Sequence, residues 1–376
     1  MSISPAVKYP WLSLNWLLVF LPVAIAIHTV PAWHNETVLF VVSALAIIPL
    51  AGLMGEATEQ LSHRLGAGVG GLLNASFGNA AELIIALMAL KAGLLDVVKA
   101  SITGSIIGNL LLVLGISIFC GGLKHPHQRF NKTAVRASCT ALLLAAFALV
   151  IPTVFHLSAA RTPGNWTPVA EQNLSVAIAM VLLASYFALL VFSLVTHRDL
   201  FSGDEHKPGA AAAAETAEKV EEIWSVRRAV LLLVVATGLV AWMSEFLVGA
   251  VEAARASFGI TETFVGVIVI AVIGNAAEHS TAVTMALKNK MDLALGIAVG
   301  SSLQIALFVT PVLVLVSLWF PHQLNLEFTL PEVVAVLAAV FVTEQISGDG
   351  ESNWLEGAQL LALYLIIAIL FYFLPA

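Results

Sequence analysis

Charged residues are scarce in this chain of 376 residues: they make up 11% of it, whereas hydrophobic residues make up 59%. A water-soluble domain carries roughly 25% charged residues, so most of the surface is predicted to face lipid or other helices. The chain has two cysteines, Cys120 and Cys139, both in apolar segments. This excludes a disulfide framework, and both are interpreted as packing residues. The residues before Trp11 include one lysine and no clear cleavage site, so no signal peptide is predicted.

Long apolar runs dominate what is present. A helix needs about 20 apolar residues to cross a bilayer, and about eleven segments approach that length. The predicted spans are 14–33, 37–58, 68–91, 97–121, 133–153, 172–196, 227–250, 263–287, 293–320, 330–346 and 354–374. The expected fold class is therefore an all-α integral membrane protein with about eleven transmembrane helices.

The distribution of the 17 lysines and arginines predicts the orientation of these spans. If the N-terminus is cytoplasmic, four of these residues lie outside, namely Lys91, Lys99, Arg161 and Arg255, and the other 13 lie inside. Cytoplasmic loops are enriched in lysine and arginine. We therefore expect a cytoplasmic N-terminus and a C-terminus on the opposite side.

The pentapeptide Gly-Asn-Ala-Ala-Glu occurs twice, at 78–82 and at 274–278, with an offset of 196 residues. The same offset relates Asp96 to Asp292 and Gly104-Ser105 to Gly300-Ser301. Each copy covers five predicted spans, an odd number, so the copies are expected to be inverted in the membrane. The predicted parts are an extra helix (1–35), the first repeat (36–196), a linker (197–226) and the second repeat (227–376). A duplication kept for structure alone is the alternative.

The polar stretch between the repeats is rich in acidic residues. Helical spacing would place Glu215, Glu218 and Glu222 on one face. The stretch is either a solvated linker helix or a surface that collects cations near the cytoplasmic mouth.

Each pentapeptide puts a carboxylate, Glu82 or Glu278, inside an apolar run. An ionisable residue at bilayer depth is costly and marks a functional site by default. Helical spacing predicts that Asn79 shares a face with Glu82, and Asn275 with Glu278. Further oxygen-bearing side chains are expected to converge on them: Ser105, Asn109, Ser301, Ser302 and Gln304. Such oxygens suit a hard cation such as Ca²⁺, and the lack of thiolates argues against a soft metal.

No lysine or arginine accompanies the two glutamates in sequence, so both cannot stay ionised without a partner. A bound divalent cation or protons would neutralise them. Because both compete for the same oxygens, binding one releases the other, as in a proton antiporter. We interpret Gly78 and Gly274 as shaping the site and Gly296 as a packing residue.

A second group of residues is assigned either to the ion path or to the water-facing membrane edges: Glu56, Glu59 and Glu245. His279 follows Glu278 and is either a hydrogen-bonded structural residue or a group that tunes proton release.

The paired pentapeptides, with Gly104-Ser-Ile-Ile-Gly-Asn109 and Gly300-Ser-Ser-Leu-Gln304, closely resemble the signature regions of the calcium/proton exchanger family. The segment from Asp349 through Asn353-Trp354 to Glu356-Gly357 resembles its C-terminal pattern. The resemblance implies that Glu82 and Glu278 bind the cation and carry the protons. It further implies that the second and seventh spans slide against a fixed core. Sodium-coupled relatives usually carry an acid where this chain has Gln304.

The expected function is therefore Ca²⁺/H⁺ antiport by alternating access, without a cofactor. Open alternatives are Na⁺ as counter-ion, Mn²⁺ or Cd²⁺ as substrate, an intramembrane enzyme, and a channel. The expected surroundings are the lipid bilayer of a prokaryotic plasma membrane, with a vacuolar or organellar membrane as the alternative. No nucleic-acid partner is expected, and the sequence leaves a homo-oligomer open.

Overall fold

The computed structural model describes residues 14–159, 167–197 and 224–374, apart from the side chains at 63, 65–69, 71–72, 74–76 and 277. These residues are almost wholly helical, which confirms the predicted all-α class. The first half contains α1 (Leu14–Thr29), α2 (Glu36–Phe77), α3 (Ala80–Lys91), α4 (Leu95–Lys124), α5 (Lys132–Ala159) and α6 (Pro168–Thr196). The second half contains α7 (Val226–Gly249), α8 (Val251–Phe258), α9 (262–287), α10 (Met291–Ser317), α11 (Leu330–Ile346) and α12 (Trp354–Phe373). The acidic linker lies largely outside the described residues.

Within these ranges, seven helices are long and apolar enough to cross a membrane, or eight if the bent pair Val251–Phe258 and Glu262–Ala276 is one span. The shorter helices α1, α3 and α11 occupy the other positions where the sequence predicts spans. Every predicted segment therefore has a helix or a helix pair, and the number that cross the bilayer stays a prediction. Between the predicted spans 37–58 and 68–91 the chain stays helical, because α2 runs on to Phe77, while the apolar span within it covers Glu36–Ser62.

The two halves correspond along the chain but differ at the pentapeptides. Helices α4 and α10 begin 196 residues apart, at Leu95 and Met291, and each contains a π-helical turn. In the second half, the pentapeptide lies inside α9. In the first half, Gly78 and Asn79 form a turn between α2 and α3. The prediction that Asn79 shares a helix face with Glu82 is therefore wrong, since Asn79 precedes the helix as its N-cap.

Helix α12 begins in a way that explains the C-terminal sequence pattern. Asn353 and Glu356 form a capping box, in which each side chain accepts a hydrogen bond from the other's backbone N–H. A Cβ at Gly357 would lie 2.7 Å from Phe119 Cα, so this glycine allows α12 to approach α4 closely. A two-stranded antiparallel sheet, β1 (Gln128–Arg129) and β2 (Glu351–Ser352), joins the loops before α5 and α12.

Buried apolar side chains form two clusters. One contains residues of α4, α5, α6, α9, α10, α11 and α12, together with three residues of α3 and Val248 of α7. The other contains residues of α1, α2, α3, α7 and α8, together with Val97 of α4 and three residues of α9, and in it α2 packs along α7. The helices that the resemblance predicts to slide thus belong to a different cluster from most of the remaining protein.

Candidate functional site

The two repeated glutamates approach each other between α3 and α9. Glu82 lies in the first turn of α3, and Glu278 lies one helical turn after Gly274 on α9. A Cβ at Gly274 would lie 3.1 Å from Glu82 Cγ and 3.5 Å from its Oε1, so the missing side chain leaves room for Glu82. Glu278 is within electrostatic reach of Glu82. No lysine or arginine among the described residues forms an ion pair with either carboxylate.

Hydrogen bonds between the halves join the polar residues around this pair. Asn79 Nδ2 donates to Gln304 Oε1. Asn275 Nδ2 donates to Ser105 Oγ over 3.2 Å, and Asn109 Nδ2 donates to Asn275 Oδ1 over 3.4 Å. In each bond, one residue lies in α4 or in the turn before α3, and the other lies in α9 or α10. The predicted convergence of the two motifs is therefore seen for these five residues.

The two serines of α10 behave differently. Ser301 Oγ donates to Glu278 Oε2 and so touches the carboxylate directly. The hydroxyl of Ser302 instead donates to the carbonyl of Ala298 on its own helix, over 2.9 Å. The structure therefore brings Ser301 to the site but turns the Ser302 hydroxyl toward the backbone of α10.

A small cavity of about 10 Å³ lies beside Glu82, which is room for about one water-sized sphere. Ser101 and Ser105 supply polar lining, and the apolar lining includes Ile102, Ile270 and Ile305. Ser101 was not among the predicted site residues. Its four-residue spacing from Ser105 puts both on one face of α4, and this spacing is the signal that could have indicated it.

The predicted ion-path acids are exposed, unlike the polar residues of this buried region. Glu56 and Glu59 on α2, and Glu245 on α7, have exposed side chains. His279 is half-buried next to Glu278, and its buried Nε2 has no hydrogen-bond partner among the described side chains. An ion path and a water-facing position both stay open for the three acids. For His279, a structural role and a role in proton release both stay open.

Glycines show that the two halves are not packed alike. A Cβ at Gly104 on α4 would overlap the backbone of Val267 on α9, and one at Gly266 would lie 2.9 Å from Val97 O. Helices α4 and α9 therefore cross in direct backbone contact. The counterpart of Gly104 on α10 is Gly300, and it is open, because among the described residues a Cβ there would have nothing within 4 Å; the same holds for Gly296. The predicted packing role of Gly296 is thus not seen in this arrangement.

An all-α membrane protein in which two related halves bring paired carboxylates together belongs to the class of ion transporters built from repeats. The chain belongs to the family described as "Sodium/calcium exchanger protein", whose profile matches residues 35–195 and 228–373. It is 50% identical over 340 residues to the "Ca(2+)/H(+) antiporter ChaA" of Bacillus subtilis, covering 90% of this chain and 93% of that protein. It is 47% identical over 378 residues to the "Ca(2+)/H(+) antiporter" of Synechocystis, with 96% of each chain covered. The solved "Structure of native YfkE" has a TM-score of 0.80 and 43% identity, and the match covers 96% of this chain and 100% of that one.

Proposed function

We propose that this protein is a secondary active antiporter, not an enzyme, and that it exchanges Ca²⁺ for H⁺ across a membrane. The observation that carries the proposal is the position of Glu82 against Gly274, which lies one helical turn before Glu278 on α9. Around the two glutamates lie buried side chains whose oxygens could bind a cation. Relatives named Ca²⁺/H⁺ antiporters that match nearly the whole chain support the same ions.

The donor set suits a hard divalent cation. Ca²⁺ takes six to eight oxygens in a flexible geometry, and carboxylate, amide and hydroxyl oxygens are all close to Glu82 and Glu278. Asn79 is 2% exposed, and its Oδ1 accepts no hydrogen bond from the part of the chain that the structure describes. A buried acceptor without a donor costs about 1–3 kcal/mol, and a bound cation would remove that cost. Protons would replace the cation by neutralising the same carboxylates.

The glycine crossings support alternating access. The closed crossing of α4 and α9 lies toward Leu95, where α4 begins, and the open glycines of α10 lie toward Met291. These two ends are on opposite sides in the predicted topology. We infer a state that is closed on the predicted outer side and open on the predicted inner side. In the opposite state, each inverted repeat would adopt the helix packing that the other repeat has here.

Contacts between helix ends support that topology. Lys124 Nζ donates to the carbonyl of Leu287, and both are predicted to be inside. Lys99 Nζ donates to Asn325 Oδ1, and both are predicted to be outside. These contacts support the relative sides of the helix ends in the proposed arrangement of one extra helix, two repeats and a linker. The distribution of lysine and arginine supports a cytoplasmic N-terminus, and the bacterial relatives support a prokaryotic plasma membrane.

The test is ⁴⁵Ca²⁺ uptake into proteoliposomes under an imposed pH gradient without sodium. We expect uptake that a proton ionophore collapses, and no uptake with Glu82→Gln or Glu278→Gln. Glu36→Gln, which removes an exposed acid at the start of α2, is the matched control and should keep full activity. Full activity of either site variant would refute the assignment. Uptake that needs a sodium gradient would support the sodium-coupled alternative.

A further inference from the structure

A second group of ionisable side chains lies away from Glu82 and Glu278, where α5, α6 and the loop before α11 meet. His156 is in the last turn of α5, Glu171 is in the first turn of α6, and Glu327 is in the loop. His156 Nδ1 is 3.2 Å from Glu171 Oε2, and its Nε2 is 3.3 Å from Glu327 Oε1. One ligand atom from each residue lies within 4.8 Å of the other two.

Neighbouring side chains hold this triad in position. Glu171 is 3% exposed, and its Oε1 accepts a hydrogen bond from Asn325 Nδ2 over 3.2 Å. Asn325 Oδ1 in turn accepts one from Lys99 Nζ over 2.6 Å. Outer partners of this kind orient the first ligands of metal sites, so the carboxylate of Glu171 is aimed before any ion binds.

The charge around the triad favours a cation. Lys99 is within electrostatic reach of four carboxylates, those of Glu327, Asp96, Glu332 and Glu171. One ammonium cannot balance four acids, although Glu332 is also held by hydrogen bonds from Thr329 and Thr103. Partial burial and then the hydrogen bond and charge of Glu171 raise the pKa of Glu327. A divalent cation held by both carboxylates would therefore add positive charge where His156 now bridges them.

We propose that His156, Glu171 and Glu327 form a binding site for a divalent transition metal of the Zn²⁺ type. One imidazole and two carboxylates supply three protein ligands and leave a fourth position for water, as in open zinc sites. The imidazole nitrogen favours Zn²⁺ over Ca²⁺, which prefers oxygen. In the metal-free arrangement His156 bridges both acids through its two nitrogens, and the metal would take the place of one of these bridges.

The site would join the two halves of the protein. His156 and Glu171 belong to the first half and Glu327 to the second. Helices α5 and α6, and Leu326 and Phe328 beside Glu327, lie in the larger apolar cluster and not in the one containing α2 and most of α7. An ion that binds the folded state alone stabilises it in proportion to the logarithm of its concentration, so metal would strengthen this contact without blocking the sliding helices.

The experiment is a calorimetric Zn²⁺ titration of the purified full chain carrying Glu82→Gln and Glu278→Gln, which removes both carboxylates of the transport site. We expect one Zn²⁺ per chain. Adding His156→Ala should weaken binding at least about tenfold, and Glu171→Gln should do the same. His322→Ala is the matched control, because His322 is an exposed histidine of the same loop and should leave binding unchanged.

X-ray absorption at the zinc edge should show one nitrogen from imidazole together with oxygen ligands. The fold of each variant is checked by thermal unfolding without metal, and Zn²⁺ should raise the unfolding temperature of the chain with His156 but not of His156→Ala. Equal Zn²⁺ affinity in His156→Ala and His322→Ala would overturn the proposal, as would the absence of binding before either change. Neither result would bear on Ca²⁺ transport.

Discussion

Alanine at Gly104 is expected to disfavour the access state seen in this structure. The added Cβ would lie 2.6 Å from the carbonyl carbon of Val267, whereas carbon atoms in contact are normally about 3.5–4.0 Å apart. Helices α4 and α9 would have to separate by about 1 Å. Overpacking of this kind costs typically about 1–3 kcal/mol, whereas the better helix propensity of alanine stabilises both access states alike. A cost of about 1–3 kcal/mol in this state alone would shift the equilibrium against it about 5- to 150-fold.

The assay follows a cysteine placed at Gly296, in a chain without Cys120 and Cys139. Gly296 is exposed on α10, and a side chain there would meet open space. A membrane-impermeant thiol reagent applied from the side of the linker should label it more slowly in Gly104→Ala, in proportion to the population change. Gly108→Ala is the matched control, because it lies one turn further along α4 and its Cβ would have nothing within 4 Å.

Gly300→Ala separates a state-dependent effect from a general one. Its Cβ has open space in this structure, whereas the crossing at its counterpart Gly104 is closed. If the halves exchange arrangements, Gly300→Ala should penalise the opposite state and keep or increase the labelling rate. Equal labelling in Gly104→Ala and Gly108→Ala would refute the reasoning, since the overlap with Val267 would then have no energetic consequence.

Three further changes test the site and the fold. Gly274→Ala should raise the Ca²⁺ concentration for half-maximal transport severalfold, because Glu82 must move away from a Cβ at 3.1 Å from its Cγ; an unchanged value would contradict the proximity. Gln304→Glu adds a negative charge beside Asn79 and should let Na⁺ compete with Ca²⁺ in uptake assays. Asn353→Ala removes the cap of α12 and should cost about 1 kcal/mol, which would be seen as a lower thermal unfolding temperature with transport preserved.

The identity of the central residues was readable from the sequence. Glu82 and Glu278 stand out because a carboxylate in an apolar run is costly at any position along a span. The apolar runs around them, each about long enough to cross a bilayer as a helix, indicated the all-α class. The repeat indicated partners such as Ser105 and Asn275, because each has the same residue type 196 positions away in the other copy.

The structure corrected the details that depend on helix geometry. Asn79 lies in a turn and not on the face of α3, whereas its counterpart Asn275 lies inside α9. Ser302 turns to its own backbone although Ser301, its neighbour, reaches Glu278. Identical pentapeptides therefore adopt different local structures, because the packing around each copy differs.

Sequence alone thus determined the membrane class, the repeat and the glutamate pair, because hydrophobicity and the cost of a buried charge are properties of short segments. The tertiary structure decided which glycine crossing is closed and how His156, Glu171 and Glu327 meet. Those three residues come from separate elements, and no spacing along the chain relates Glu327 to the other two. The closed crossing depends on a difference of a few kcal/mol between whole packing arrangements, and that difference belongs to contacts between the halves.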